Sequence, residues 1–324
     1  MKTSPKGRSA AGGTKKTVLT PTTVELRRAE LACSVAARIK EDGNWPTAIP
    51  RFGLYRRSEA TTCNSATYEP TLIIFLEGKK RINLGGESYL CDGRHFLLTS
   101  VDLPVVSQII DATPKNPMLG AVLRLEMATV REILGQQEFN ISESSSGARG
   151  MAVGKNTAEL LDAFSRLVAL LDRSQEIPFL ANLIEREIIY RILSGPQGRH
   201  LRAIATLGEQ GNRTAKAVAW LRENFAKPLH VEQLAELSHM GVSTFHHHFR
   251  SLTSMSPLQY QKHLRLHMAR ERMVAEGIDA ASAAFEVGYE SPSQFSREYS
   301  RFFGQPPRRD VMALRTASAV EAGD

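Results

Sequence analysis

Apolar and polar positions change their rhythm several times along this chain. Residues 24–41 (VELRRAELACSVAARIKE) space their apolar side chains as a helix does, and Gly43 ends the pattern. From about 51 to 125, β-rich runs such as TLIIFLEG and YLCDGRHFLLT are cut by Gly78, Gly85–Gly86 and Gly93, which predicts antiparallel strands joined by tight turns. Pro104, Pro114 and Pro117 punctuate the next connections, and the whole segment predicts a small β-barrel or sandwich. From about 127 to 208, LLDAFSRLVALLD and FLANLIEREIIYRIL place apolar residues at i, i+3, i+4 and i+7, predicting amphipathic helices at 157–171 and 178–194. The Ser/Gly-rich stretch 142–150 predicts a loop. GPQGRH at 195–200 and EQGNR at 209–213 predict breaks before the last region.

That region is the most informative. AVAWLRENF at 217–225 predicts a helix that stops at Pro228. Leu234, Ala235 and Leu237 then predict a short helix, Met240–Gly241–Val242 a turn, and Phe245, Phe249 and Leu252 the inward stripe of a second helix. Gly241 suits a turn that needs backbone angles closed to bulkier residues. A second unit repeats the same internal spacing. Ala235-x4-Met240 returns as Ala284-x4-Tyr289, and Phe245-x3-Phe249-x7-Pro257 returns as Phe295-x3-Tyr299-x7-Pro307. Between the units, Ser256, Pro257 and Gln259 supply an N-cap, a first-turn proline and a capping-box partner, predicting a connecting helix that runs to Gly277. The same capping residues recur as Ser291, Pro292 and Gln294.

With the aromatic stripes buried, the first recognition helix exposes Ser243, Thr244, His246, His247 and Arg250, and the second exposes Ser293, Gln294, Arg297 and Arg301. A rigid connecting helix would set the two about 34 Å apart, one turn of duplex, each in a major-groove segment. Arg297 can pair bidentately with guanine, while His, Gln, Ser and Thr can meet other base edges. Arg250 and Arg301 lie further along their helices and suit phosphates.

Charge adds little. The chain has 324 residues and a formal net charge of +7, but its first 28 residues hold seven Lys/Arg against one Glu, whereas residues 216–315 hold 13 against 10. The excess therefore sits mainly in a Gly/Ser/Lys-rich tail expected to be disordered. No run of apolar residues is long enough for a membrane span and no signal peptide is evident, which predicts a cytoplasmic protein. The three cysteines, Cys33, Cys63 and Cys91, contain no CxxC pair and predict free thiols. Cys63 and Cys91 are candidate thiol sensors, since Arg94 and His95 near Cys91 would lower a thiol pKa; the alternative is a small packing residue. Consecutive His246, His247 and His248 point about 100° apart on a helix and make a poor metal site. Seven of the nine histidines fall between 230 and 267, where partial protonation would favour DNA unless they are merely solvated. His95 is the lone histidine of 51–125, too few for a metal-dependent cupin, and Lys79–Lys80–Arg81 reads as a solvated hairpin face.

These motifs resemble the AraC family of regulators over about 100 residues, most closely in AFEVGYESPSQFSREYSRFFGQPP, and LIIFLEGKKRINLGGESYLCDGRHFLLTSVDLPV resembles the cupin-like sensor domain of one branch of it. The resemblance implies an α+β protein: a basic tail (1–22), a cupin-like β-barrel with flanking helices for sensing and dimerisation (23–208), an all-α double helix-turn-helix domain (214–315) and a short tail (316–324). It implies a cytoplasmic, dimeric bacterial regulator, more often an activator, without cofactor or enzyme activity. The implied partners are double-stranded DNA, RNA polymerase and a small-molecule effector. In family members the positions matching Ser243, His246, His247, Ser293 and Arg297 face bases, and His247 stands where Arg is frequent. The rival reading is a cupin-like enzyme carrying a DNA-binding domain.

Overall fold

A computed structural model describes residues 22–139 and 148–322. The basic tail and most of the 142–150 loop lie outside the described residues. Helix α1 (Thr23–Arg38) opens on a complete capping box between Thr22 and Glu25. Nine strands follow: β1 (Gly43–Pro46), β2 (Phe52–Arg57), β3 (Asn64–Tyr68), β4 (Thr71–Glu77), β5 (Lys79–Leu84), β6 (Glu87–Asp92), β7 (His95–Thr99), β8 (Leu103–Asp111) and β9 (Met118–Arg124). Then come α2 (Met127–Gln136), β10 (Met151–Lys155), α3 (Ala158–Leu170), α4 (Ile177–Ser194) and α5 (Gly198–Ala205). The last region is helical: α6 (Gln210–Glu223), α7 (Val231–Leu237), α8 (Val242–Thr253), α9 (Pro257–Ala275), α10 (Ala280–Glu286), α11 (Pro292–Phe303) and α12 (Pro307–Ala322).

The strands form two antiparallel sheets rather than one closed barrel, ordered β1-β2-β9-β4-β7-β10 and β3-β8-β5-β6. The near-continuous apolar run of β4 follows from burial on both faces. Leu72, Ile74 and Leu76 face a helical layer that includes α1, α3 and α4, whereas Phe75 faces a core shared with the second sheet. Strand β10 falls where the 3.6-residue period predicted only helix. It pairs along β7 from Met151↔Thr99 to Lys155↔His95 and occupies the edge of the sheet. EQGNR, expected to be a break, instead enters α6, with Glu209 at the N-cap.

The second core does not stop at the sheets. Phe75, Ile82, Leu103 and Val105 belong to the same buried cluster as Phe245, Phe249, Tyr260 and Leu264, so the first helix-turn-helix unit packs directly on the β region. Three contacts converge on the α8–α9 junction. Gly150 donates to the carbonyl of Leu252 at 2.8 Å, and the Tyr260 hydroxyl donates to the Asp102 carbonyl at 2.6 Å. The third is the Gly85 turn, where φ is +57° and a Cβ would sit 2.3 Å from the Ser254 carbonyl oxygen, so only glycine fits. Arg222 of α6 pairs with Asp102 and with Glu69, the latter at 2.8 Å. The second unit has its own core around Phe295 and Tyr299.

Candidate nucleic-acid interface

The spacing repeated in sequence is a repeated hydrogen-bonded turn. After α7 the N–H of Met240 donates to the carbonyl of Ala235 at 2.9 Å, and after α10 that of Tyr289 donates to Ala284 at 2.9 Å. This six-residue closure requires a left-handed residue just before the donor. That residue is His239 (φ 51°) in the first unit and Gly288 (φ 88°) in the second. Gly241, expected to supply the unusual backbone, has an ordinary φ of −68° as the N-cap of α8. Leu237 is also corrected: it is 41% exposed, so α7 buries only Leu234 and Ala235.

Both recognition helices bury their aromatic stripes. Phe245, Phe249 and Leu252 anchor α8, with Phe249 edge-on to Tyr260 at 5.5 Å, while Phe295 and Tyr299 anchor α11. The opposite faces are open: Ser243, Thr244, His246, His247 and Arg250 are exposed on α8, and Ser293, Gln294, Arg297 and Arg301 on α11. His248 is half-buried, and desolvation lowers its pKa.

Several residues that no local pattern marked hold the two faces in place. Arg265 of α9 donates to the carbonyls of Phe225, Ala226 and Lys227 beside the first unit and of Gly288 in the turn of the second. One half-buried guanidinium thus ties both units to the connecting helix, at a cost of desolvation that lowers its pKa. Asp310 of α12 accepts a bidentate pair from Arg270 at 2.8 and 2.9 Å and a bond from the Tyr299 hydroxyl at 2.7 Å. Long polar side chains that bridge elements leave no periodic trace, so sequence reasoning missed them.

Residues 48–200 match the family model described as the AraC-type transcriptional regulator N-terminus, and residues 234–310 match a helix-turn-helix domain model. The chain belongs to the AraC family of transcriptional regulators. The transcriptional regulator ArgR of Pseudomonas aeruginosa is 26% identical over 155 residues, 48% of this chain and 47% of ArgR. The transcriptional activator RhaS of Salmonella schwarzengrund is 29% identical over 164 residues, 49% of this chain and 56% of RhaS. The chain thus spans about half the length of the curated relatives it matches. An apo ToxT variant from Vibrio cholerae superposes with a TM-score of 0.55 at 8% identity, covering 82% of this chain and 99% of ToxT, a likeness of fold alone.

The cysteines of this AraC-family chain divide by burial. Cys33 and Cys63 are exposed, whereas Cys91 is fully buried and burial pushes its thiol up to about 12. That reverses the lowering expected from Arg94 and His95, because both of those side chains bind Asp92 instead. Cys91 fits the packing role. Lys79 and Arg81 lie exposed on β5, with Lys79 paired to Asp111.

Two of the clustered histidines are turned into the second unit rather than toward DNA, His267 buried and His263 half-buried. On α9 the His263 ring is tilted against Phe302 at 4.5 Å and His267 meets the same ring edge-on at 5.4 Å, and His267 Nε2 lacks a partner. Burial, with Lys262 beside His263 and with His263 and Arg270 beside His267, lowers them to about 4 and about 3; burial lowers His200 to about 4. The folded state keeps all three neutral while the unfolded chain protonates near 6.5. Stability is therefore complete above pH 6.5 and falls on acidification toward 4, by about 1 kcal/mol per histidine per pH unit. Denaturant titrations at pH 7 and pH 5 check this. Equal stability at the two values would contradict it, and His267→Leu is expected to flatten the slope.

Proposed function

We propose that the chain is a sequence-specific, double-stranded-DNA-binding transcription regulator, with the module 214–315 on DNA and residues 23–208 as the regulatory domain. The observation that carries this is the pair of turns closed by the same bond, each followed by a helix with a buried aromatic stripe and an open polar face. Ser243, Thr244, His246, His247, Ser293, Gln294 and Arg297 are assigned to base edges in two major-groove segments, and Arg250 and Arg301 to phosphates. Activation through RNA polymerase is the sign we assign, in keeping with RhaS, whose name is that of an activator.

A small-molecule effector bound by the regulatory domain would act through the core that this domain shares with α8 and α9. Self-association is assigned to α4, which leaves Phe179, Leu183 and Tyr190 exposed beside a shallow groove of about 300 Å³. Of the two amphipathic helices read from the sequence, α3 is less suited, since it buries its apolar face in the core against the sheet. The family matches give the rival enzyme reading no support. No helix among the described residues is long and apolar enough to cross a membrane; the cytoplasmic location we assign follows from the proposed action on DNA.

Footprinting the full chain on the DNA flanking its own gene tests the proposal. Two protected segments about one helical turn apart on one face of the duplex are expected, surviving excess non-specific competitor. Protection that the competitor abolishes would overturn it.

A further inference from the structure

Helices α9 and α11 begin with matching capping residues, but the two glutamines behave differently. Gln259 closes its box by accepting from the backbone N–H of Ser256 at 3.1 Å. Gln294 does not return to Ser291. Its Nε2 donates forward to Glu298 Oε1 at 3.3 Å. Because an ionised carboxylate only accepts, the amide must present its NH2 end to Glu298.

Glu298 is itself fixed from two other elements. Lys262 of α9 pairs with Oε1 at 2.9 Å, and the Tyr289 hydroxyl in the α10–α11 turn donates to Oε2 at 2.8 Å. Partial burial works against its charge, yet the bonds from Lys262, Tyr289 and Gln294 outweigh that and hold the carboxyl below the usual range. Lys262 also offsets a negative charge that would otherwise stand on a face meant for DNA.

One N–H of Gln294 is thereby committed, while Oε1 and the second N–H remain free on an exposed side chain. An acceptor beside a donor is the complement of adenine, which offers the N6–H2 donor and the N7 acceptor in the major groove. Guanine offers two acceptors, so its O6 would face Oε1. We infer that Glu298 is a positioning residue that locks the Gln294 amide to select adenine at one position of the half-site met by α11. This deepens the DNA-binding reading above and rests on it. An unlocked glutamine would meet adenine only after losing its freedom on binding; here the cost is met in advance by folding.

Selecting bound sequences from a randomised duplex library, with the full chain and its variants, tests this. The unmodified chain is expected to enrich adenine at one position that Gln294→Ala abolishes. Glu298→Ala is expected to weaken the preference at that position alone by about 5- to 10-fold, and Gln294→Ala/Glu298→Ala to match Gln294→Ala. Glu298→Gln keeps the shape but lets either end of the neighbouring amide bind, so it is expected to loosen the same preference with the melting temperature retained, which keeps the test open if the alanine variant folds poorly. Glu298 variants that lower affinity equally at every position, or effects that add to those of Gln294→Ala, would overturn the inference while leaving the DNA reading intact. If the unmodified chain enriches no sequence, both fall.

Discussion

Replacing Asp310 with alanine is expected to cost the second helix-turn-helix unit about 3–5 kcal/mol, the range seen when one partner of a buried ion pair is removed. Asp310 is 6% exposed and binds three donors: Nε and Nη2 of Arg270 and the hydroxyl of Tyr299. Its loss strands a guanidinium whose side chain is 13% exposed. Arg270 also donates to Asn64 of β3 at 2.9 Å, so the same arginine reaches the regulatory domain. The damage should stay in the second unit, whose core is separate from the one shared by the first unit and the sheets. Chemical denaturation is expected to show a low-stability transition in Asp310→Ala. The pair Arg270→Met/Asp310→Leu should lose much less, since no charge is left uncompensated. A loss below about 1 kcal/mol for Asp310→Ala would mean that water reaches the pair and screens it.

Arg297→Ala combined with His246→Ala is expected to lower affinity for the chain's own operator by about 30-fold or more, at about 1–3 kcal/mol per base contact. Binding to unrelated duplex should change little. Arg297 heads the open face of α11 and His246 that of α8, and neither side chain supports a core. Arg250→Ala and Arg301→Ala should behave differently: affinity falls for every sequence, and the slope of log K against log salt becomes shallower by about 1 for each. Gel shifts at several salt concentrations, with operator and scrambled duplex, separate the two classes. If the double variant kept its selectivity, the bases would be met by some face other than those of α8 and α11.

How much of this was legible beforehand depends on range along the chain. The two recognition helices, their buried stripes and the capping box of α9 were readable because each depends on residues within one or two turns of one another. The spacing Ala235-x4-Met240 and Ala284-x4-Tyr289 was readable as a repeat, but its cause was not. A hydrogen bond counted back five residues fixes the left-handed position at His239 and Gly288, whatever glycine stands nearby. Gly241 was therefore a misleading cue.

Strand β10 escaped because MAVGK is too short to show a period, and its partner β7 lies more than 50 residues away in sequence. Of the barrel or sandwich that the alternation allowed, the structure shows two sheets, a choice the sequence left open because alternation reports which side chains face inward, not whether the first and last strands meet. Cys91 was judged by its sequence neighbours, yet Asp92 claims both Arg94 and His95, and burial sets the thiol.

By itself, then, the sequence determined most of the helices and strands, the duplicated module and the polar faces of α8 and α11, because helix period, caps and strand alternation are local effects. Only the tertiary structure decided that the first unit shares a core with the sheets, that Arg265 ties the two units together, and that Lys262 and Tyr289 converge on the Glu298 to which Gln294 turns. The physical reason is that such contacts are made by long or buried side chains whose partners lie on other elements, and the buried ones are strengthened by exclusion of water, a property of the packed molecule that no stretch of chain carries alone.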